Sequence, residues 1–168
     1  MKLLIVDDEE LTRTGVISSI DWQSIGIQEV LQADDGINGI EMARVHRPDI
    51  VLCDVRMPRL DGIAMLEQLE EILPDIVPVF MSGYSDKEYL KAAIKLKAVN
   101  YIEKPLNPVE IRDAIMEARD LCLEKKRTRQ NASIHSMESA SRLALLLTQP
   151  FAHAKESIDQ LIDELSLS

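Results

Sequence analysis

The chain has 168 residues, enough for one ordinary domain and an appendage, since domains run to roughly 150 residues. Hydrophobic residues make up 46% and charged residues 29%, which excludes a chain that is disordered or collagen-like throughout. The net charge is −10, and residues 1–122 carry all of it, with 23 acidic against 13 basic side chains. Because such an acidic body would repel a nucleic-acid backbone, we do not expect it to bind DNA directly.

Short apolar runs of strand length alternate with longer segments of helical pattern. The predicted strands are 3–6, 29–31, 50–53, 76–81 and 99–102. The predicted helices are 11–20, 37–47, 63–73, 87–96 and 109 to about 126. Helix-capping patterns stand at 85–88 and 107–110. This alternation predicts an α/β fold, a five-stranded doubly wound parallel sheet of flavodoxin-like order 2-1-3-4-5 with a C-terminal helical extension.

The chain lacks the patterns of a membrane or secreted protein. Its longest apolar runs, such as 143–147, fall far short of the roughly 18 residues that a bilayer span needs. The apolar stretch after Lys2 is too short for a secretory signal. Cys53 and Cys122 lie in apolar stretches without C-x-x-C spacing, so we expect buried thiols rather than a disulfide or a zinc site. We therefore expect a cytoplasmic protein.

Residues 123–168 are predicted to be a helical linker that follows a domain over 1–122. We interpret the basic run at 125–129 as solvated cations at the end of the last domain helix. Two apolar stripes at helical spacing lie on either side of a break expected at Pro150. They comprise Met137, Ala140, Ala144 and Leu147, then Ile158, Leu161, Ile162 and Leu165. Such stripes either fold back on the domain or pair with a second copy as a homodimer.

Polar residues that can carry chemistry directly follow four of the predicted strands. They are Asp7, Asp8, Asp54, Ser82 and Lys104. Because the carboxyl ends of parallel strands meet at one edge of a sheet, we expect these side chains in one pocket. Three carboxylates and one ammonium leave a deficit of positive charge that Mg²⁺, which prefers oxygen ligands, would neutralise. An ionised aspartate beside Mg²⁺ is a competent nucleophile toward phosphorus, and its product would be an acyl phosphate.

Five motifs in this order resemble the signature of the receiver domains of bacterial two-component response regulators. They are LLIVDDE at 3–9, DVRMP at 54–58, DG at 61–62, MSG at 81–83 and YIEKP at 101–105. The resemblance covers roughly residues 1–122. A narrower segment, GVISSIDW at 15–22 followed by GI at 26–27, is similar to receivers attached to AraC-type helix-turn-helix domains.

The resemblance implies a role for each acidic residue of the pocket. Asp54 would be the phosphoacceptor and would take its phosphoryl group from a phosphohistidine of a sensor histidine kinase. Asp8 would bind Mg²⁺ directly and Asp7 mainly through water. The backbone carbonyl of Arg56 would be a further ligand of the metal.

The resemblance also implies roles for the residues around the phosphoryl group. The hydroxyl of Ser82 and the ammonium of Lys104 would bind the phosphoryl oxygens. Tyr101 would be an aromatic switch that turns inward as Ser82 moves. Arg56 and Tyr84 occupy positions that vary widely and tune the lifetime of the acyl phosphate. The peptide bond between Lys104 and its following proline is cis in many relatives.

We therefore expect a phosphorylation-controlled switch rather than an enzyme. It would control transcription through a DNA-binding output domain outside this chain, since residues 123–168 show no pair of recognition helices. Two alternatives stay open: a Mg²⁺-dependent phosphatase that forms an aspartyl phosphate, and an interaction module that works without phosphorylation. Arg56 argues against the phosphatase, because such enzymes often carry a second acidic residue at that position.

Overall fold

The computed structural model describes residues 1–83, 96 and 98–147, which form five strands and four helices. The strands are β1 (Lys2–Val6), β2 (Glu29–Ala33), β3 (Ile50–Asp54), β4 (Val77–Ser82) and β5 (Asn100–Glu103). The helices are α1 (Glu10–Ser19), α2 (Gly36–His46), α3 (Gly62–Ile72) and α4 (Pro108–Leu147). The helix predicted at 87–96, its capping pattern and the break at Pro150 lie outside the described residues, apart from Leu96.

The five strands form one parallel sheet in the order β2-β1-β3-β4-β5. This confirms the predicted fold class and strand order. The central strands β3 and β4 are buried at every position, which explains their uninterrupted apolar sequences. Alternate side chains of each strand point to opposite faces, so the sheet needs an apolar layer on both sides.

Two hydrophobic layers cover the sheet, and β1 contributes to both. Leu4 and Val6 lie in the layer with α2 and α3, whereas Leu3 and Ile5 lie in the layer with α1 and α4. The helix residues of the first layer are Ile40, Ala43, Met65, Leu66 and Leu69. Those of the second layer include Val16, Ile111, Ala114, Ile115 and Ala118. Helices on both faces of a parallel sheet define the doubly wound architecture.

The start of α4 follows its predicted capping pattern, but its end does not follow the prediction. Asn107 Oδ1 accepts a hydrogen bond from the backbone N–H of Val109 at 2.9 Å, and Pro108 is the first helical residue. The predicted end near residue 126 is wrong, because α4 continues to Leu147. Residues 125–147 contain neither glycine nor proline, so nothing stops the helix. The basic run at 125–129 therefore lies inside a helix and not at its end.

The chain divides into two compact units. Met1–Glu124 form the unit that contains the sheet, and Lys125 begins the second. Within the first unit, both cysteines are free and buried, as expected. In the described part of the chain, no helix combines the length and the apolarity that a membrane crossing requires.

Two glycines bring the loops at the carboxyl edge of the sheet close to each other. A Cβ atom at Gly62, the first residue of α3, would overlap the backbone carbonyl oxygen of Asp54. A Cβ atom at Gly36, the first residue of α2, would lie 2.5 Å from the carbonyl oxygen of Leu60. The loop that leaves β3 thus has close main-chain contacts near its start, at Asp54, and near its end, at Leu60. These contacts require that Gly62 and Gly36 have no side chain.

We predict opposite effects for the same substitution at two glycines. Gly62→Ala should lower the free energy of unfolding by about 1–3 kcal/mol, because the added methyl group forces the β3–α3 loop away from Asp54. Gly15→Ala is the matched control in the interior of α1, where a Cβ meets no atom within 4 Å. It should raise stability by roughly 0.5–1 kcal/mol through helix propensity. Urea denaturation measures both, and equal effects of the two changes would contradict this account.

Candidate functional site

The register of the parallel strands brings the predicted site residues to one edge. Val6 of β1 is paired with Cys53 of β3, so Asp7 and Asp54 follow side by side. Ser82 ends β4, and its carbonyl oxygen accepts a hydrogen bond of 2.8 Å from the backbone N–H of Lys104. Strand pairing alone therefore places these residues next to each other, although they are far apart in the sequence.

The three aspartates of this edge form a cluster of oxygen ligands. Each of Asp7, Asp8 and Asp54 offers a carboxylate oxygen, and these oxygens all lie within 4.8 Å of one another. Asp7 is fully buried and Asp54 nearly so, whereas Asp8 is exposed. Backbone N–H groups orient two of the carboxylates: Glu9 donates to Asp7 Oδ1 at 2.8 Å, and Arg56 donates to Asp54 Oδ1 at 3.3 Å. The pocket thus has two buried carboxylates and one that reaches solvent.

Lys104 supplies a positive charge inside the pocket. Its ammonium donates a hydrogen bond of 2.6 Å to Asp54 Oδ2 and one of 3.0 Å to Asp7 Oδ2. Burial by itself lowers the pKa of Lys104, but the hydrogen bonds and charges of the two carboxylates outweigh it and raise that pKa above its ordinary value. The lysine therefore stays charged at neutral pH and joins β5 to β1 and β3.

One ammonium does not compensate the buried carboxylates completely. Burial raises the pKa of Asp7 above its ordinary value, and the charge of Asp54 adds to this effect. The hydrogen bonds from Glu9 and Lys104 act in the opposite direction but do not cancel it. The donor set consists of hard oxygen atoms at a negatively charged site, which fits Mg²⁺ in both ligand chemistry and charge.

Ser82 and Tyr101 form a hydroxyl pair beside the carboxylates. The phenol of Tyr101 donates a hydrogen bond to Ser82 Oγ, and Ser82 Oγ donates one of 3.1 Å to the carbonyl oxygen of Gly83. Ser82 is fully buried, while Tyr101 is half-buried. Tyr101 therefore contacts Ser82, the residue whose movement it would follow in the switch that the resemblance implies. Tyr84 lies outside the described residues.

The remaining expectations concern the loops after β3 and β5. Arg56 lies in the β3–α3 loop, next to Asp54, and its side chain is exposed. The peptide bond between Lys104 and Pro105 is cis, as the resemblance implied. The role of the Arg56 carbonyl as a metal ligand stays a prediction.

Three further charged residues support the site, and the sequence analysis missed them. Arg13 Nη1 donates a hydrogen bond of 2.6 Å to the backbone carbonyl of Asp7, which ties α1 to the turn after β1. Arg59, in the β3–α3 loop, forms an ion pair with the buried carboxylate of Asp35. The helix-capping position of Asp35 before α2 was a recognisable signal. The contacts of Arg13 and Arg59 themselves join residues that have no shared pattern in the sequence.

Comparison with known proteins identifies the class of this chain. A family model described as the response regulator receiver domain matches residues 3–116. Because the match covers well over half of the chain, the chain belongs to the response-regulator receiver family.

Individual relatives point to a subgroup of this family. A crystal structure of a two component transcriptional regulator AraC from Clostridium phytofermentans is 50% identical, with a TM-score of 0.71 over 75% of this chain and 98% of that chain. The transcriptional regulatory protein HptR of Staphylococcus aureus is 26% identical over 95% of this chain and 62% of its own length. YesN of Bacillus subtilis, an uncharacterized transcriptional regulatory protein, is 30% identical over 76% of this chain and 36% of its own length. The chain spans about half the length of the curated relatives it matches.

We predict that Asp7→Asn stabilises the metal-free protein. Because the pKa of Asp7 is raised in the folded state, its contribution to stability is present below the unfolded pKa and is lost as the pH rises through the folded value. At pH 7 the neutral amide should therefore raise the free energy of unfolding, because it carries no charge in the buried position. The gain should vanish near pH 3, where the wild-type carboxyl group is itself protonated.

The matched control is Asp8→Asn, at the exposed member of the same cluster. Without metal this change should alter stability by no more than about 0.5 kcal/mol, as is usual at a surface position. Thermal unfolding with and without Mg²⁺ measures both variants, and both should lose the stabilisation that Mg²⁺ confers on the wild-type protein. A loss of stability in metal-free Asp7→Asn at pH 7 would refute the charge argument.

Proposed function

We propose that the chain is the phosphoacceptor receiver of a transcriptional response regulator, acting in the cytoplasm. Asp54 takes a phosphoryl group from a phosphohistidine of a sensor histidine kinase, with Mg²⁺ held by Asp7, Asp8, Asp54 and the carbonyl of Arg56. The observation that carries this proposal is the contact of Lys104 with both Asp54 and Asp7, inside a cluster of three carboxylates. This contact supports the proposal, because the proposed nucleophile, a fixed cation and the proposed metal ligands would then share one pocket.

The arrangement suits transfer of a phosphoryl group to a carboxylate. An oxygen of Asp54 forms the new bond to phosphorus while the bond from phosphorus to the imidazole nitrogen of the donor breaks. Lys104 is already within hydrogen-bond distance of Asp54 Oδ2, so its ammonium can follow the negative charge onto the phosphoryl oxygens. Bound Mg²⁺ would offset the rest of that charge. The product is an acyl phosphate.

The conformational response would begin at the hydroxyl pair. Phosphorylation replaces the single charge of Asp54 by about two and adds three strong acceptor oxygens. Ser82 is the last residue of β4, one position beyond the strand partner of Asp54, and it can donate its hydroxyl to these oxygens and so give up its bond to Gly83. Tyr101 is bonded to the same hydroxyl and would change its position with it. We propose this coupled movement as the switch.

A surface beside Lys104 supports access by a phosphate donor. A groove of about 450 Å³ runs between α1 and the segment that joins β5 to α4. Its lining includes Leu11, Thr12, Lys104 and Leu106, so it reaches the pocket directly. Leu11 is 87% exposed, which is unusual for a large apolar side chain and typical of a contact surface. We propose that the histidine-containing domain of the kinase covers this groove.

The output of the regulator would be a change in transcription. HptR and YesN are named transcriptional regulatory proteins, and this chain matches only part of each. We propose that residues 123–168 link the receiver to a DNA-binding domain and also pair two copies of the protein. Met137, which is 73% exposed in α4, supports an apolar contact along this helix.

Intact-mass spectrometry with acetyl phosphate tests the phosphoacceptor. The wild-type protein should gain one phosphoryl group, only in the presence of Mg²⁺, and Asp54→Asn should gain none. Asp34→Asn is the control, because Asp34 follows β2 at the same edge of the sheet but lies outside the carboxylate cluster. It should be phosphorylated like the wild-type protein. Undiminished labelling of Asp54→Asn would move the nucleophile elsewhere, and steady turnover of a phosphate ester would favour the phosphatase.

Removal of the tail tests the proposed pairing. A chain that ends at Glu124 keeps the whole first compact unit and loses the rest of α4. It should sediment as a monomer, whereas the full chain should form a dimer whose fraction grows with concentration. Replacement of Met137 by Glu in the full chain should weaken the dimer without loss of the sheet domain. A dimer that survives truncation would place the interface on the receiver.

A further inference from the structure

We propose that Arg59 is a positioning residue for the metal site, and that it acts through its ion pair with Asp35. This inference rests on the proposed function, because it concerns the loop that carries the Arg56 carbonyl. The pair joins two loops at the carboxyl edge of the sheet. Arg59 belongs to the β3–α3 loop (55–61), and Asp35 belongs to the β2–α2 loop (34–35).

The base of the β3–α3 loop is held by hydrogen bonds of its main chain. Val55 donates to the carbonyl of Met81 at 3.0 Å, and Gly62 donates to the carbonyl of Val55 at 3.0 Å. Arg56 donates to Asp54 Oδ1, so the orientation of this peptide also affects the acceptor carboxylate. These bonds fix where the loop begins and ends, but not the position of its tip.

The tip of the loop is attached to the β2–α2 loop by two contacts. The guanidinium of Arg59 pairs with the carboxylate of Asp35. The backbone of Leu60 also lies against Gly36, where an added Cβ atom would be 2.5 Å from the carbonyl oxygen of Leu60. Packing alone limits how near the two loops can come. The ion pair adds the attraction that keeps them together.

The ion pair compensates a buried charge at Asp35 and is one of the contacts around the left-handed backbone of Arg59. The side chain of Asp35 is only 2% exposed, and a buried carboxylate requires compensation. It already caps α2 by accepting a hydrogen bond of 2.9 Å from the backbone N–H of Asn38. Arg59 has a φ of +67°, a left-handed conformation that is unfavourable for a residue with a side chain. Such a conformation persists where surrounding contacts stabilise it.

A positioning role and a purely electrostatic role predict opposite effects on Mg²⁺ binding. Through space, the positive charge of Arg59 repels a cation, so its removal would tighten Mg²⁺ binding. If Arg59 instead holds the loop in place, its removal lets the Arg56 carbonyl move and weakens Mg²⁺ binding. Loss of a residue that orients a metal ligand typically costs about tenfold or more in metal affinity.

The first experiment measures the loop without metal, by hydrogen exchange of the Leu60 and Gly62 amides. The Leu60 amide is bonded to the carbonyl of Pro58 inside the loop, and the Gly62 amide, at the start of α3, is bonded to the carbonyl of Val55 at the start of the loop. In Arg59→Met and in Asp35→Asn they should exchange faster than in the wild-type protein. Asn remains a good helix cap, so the second variant removes the charge and keeps the cap of α2. Unchanged exchange in both variants would overturn the proposal.

Further variants separate the ion pair from backbone strain and from general loss of charge. Arg59→Gly removes the strain of the left-handed backbone but also lacks the guanidinium, so its amides should exchange as fast as those of Arg59→Met. Exchange as slow as in the wild-type protein would show that the backbone conformation alone, and not the ion pair, holds the loop. Arg59→Lys keeps the charge and should restore protection in part. Arg112→Met removes an exposed arginine that forms an ion pair with its neighbour Asp113, and it should change neither the exchange of these amides nor Mg²⁺ binding.

The second experiment is a calorimetric titration of the same variants with Mg²⁺. Arg59→Met and Asp35→Asn should bind Mg²⁺ about tenfold more weakly than the wild-type protein. Equal or tighter binding would overturn the positioning role. If the wild-type protein itself binds no Mg²⁺, the proposed function fails, whereas the exchange of metal-free protein still decides whether Arg59 holds the loop.

Discussion

The structure of the site depends on the contact of one half-buried ammonium with two buried carboxylates. Lys104 bonds to Asp54, the last residue of β3, and to Asp7, which follows β1, while Lys104 itself follows β5. A hydrophobic sheet tolerates such charges at its edge only because they compensate one another. The compensation is incomplete, as the raised pKa of Asp7 indicates. This imbalance is the reason why we propose that the site takes up a divalent cation and accepts a phosphoryl group whose charges the lysine and the metal would share.

The loops around the site have a supporting role that follows from their main-chain packing. Gly62 lies against the carbonyl of Asp54, and Gly36 lies against the backbone of Leu60. Arg13 binds the carbonyl of Asp7, while Arg59 binds the carboxylate of Asp35. Asp7 and Asp54 are thus positioned both by the strands that they end or follow and by contacts with the surrounding helix and loops. In the proposed switch, a small movement of Ser82 would be passed to its closely packed neighbours.

Much of the fold and of the candidate site could be predicted from the sequence, because both follow from local patterns and one topological rule. Uninterrupted apolar runs marked the strands, and the capping pattern at Asn107 marked the start of α4. Because the carboxyl ends of parallel strands meet at one edge of a sheet, the polar residues at these ends could be predicted to share one pocket. The end of α4 was mispredicted, because a basic run resembled a helix end while no residue stops the helix. The Arg59 and Arg13 contacts depend on loop geometry, which local patterns do not contain.

The most direct test of the central claim is a titration with Mn²⁺, followed by amide nuclear magnetic resonance. Mn²⁺ shares the preference of Mg²⁺ for carboxylate oxygens and broadens the signals of nearby nuclei. The account predicts that the amides of Asp8, Val55 and Lys104 broaden first and together, since they surround one pocket. The amides of Gln28 and Asp49, at the opposite end of the sheet, should remain sharp. Broadening that begins elsewhere, or that spares Lys104, would contradict it.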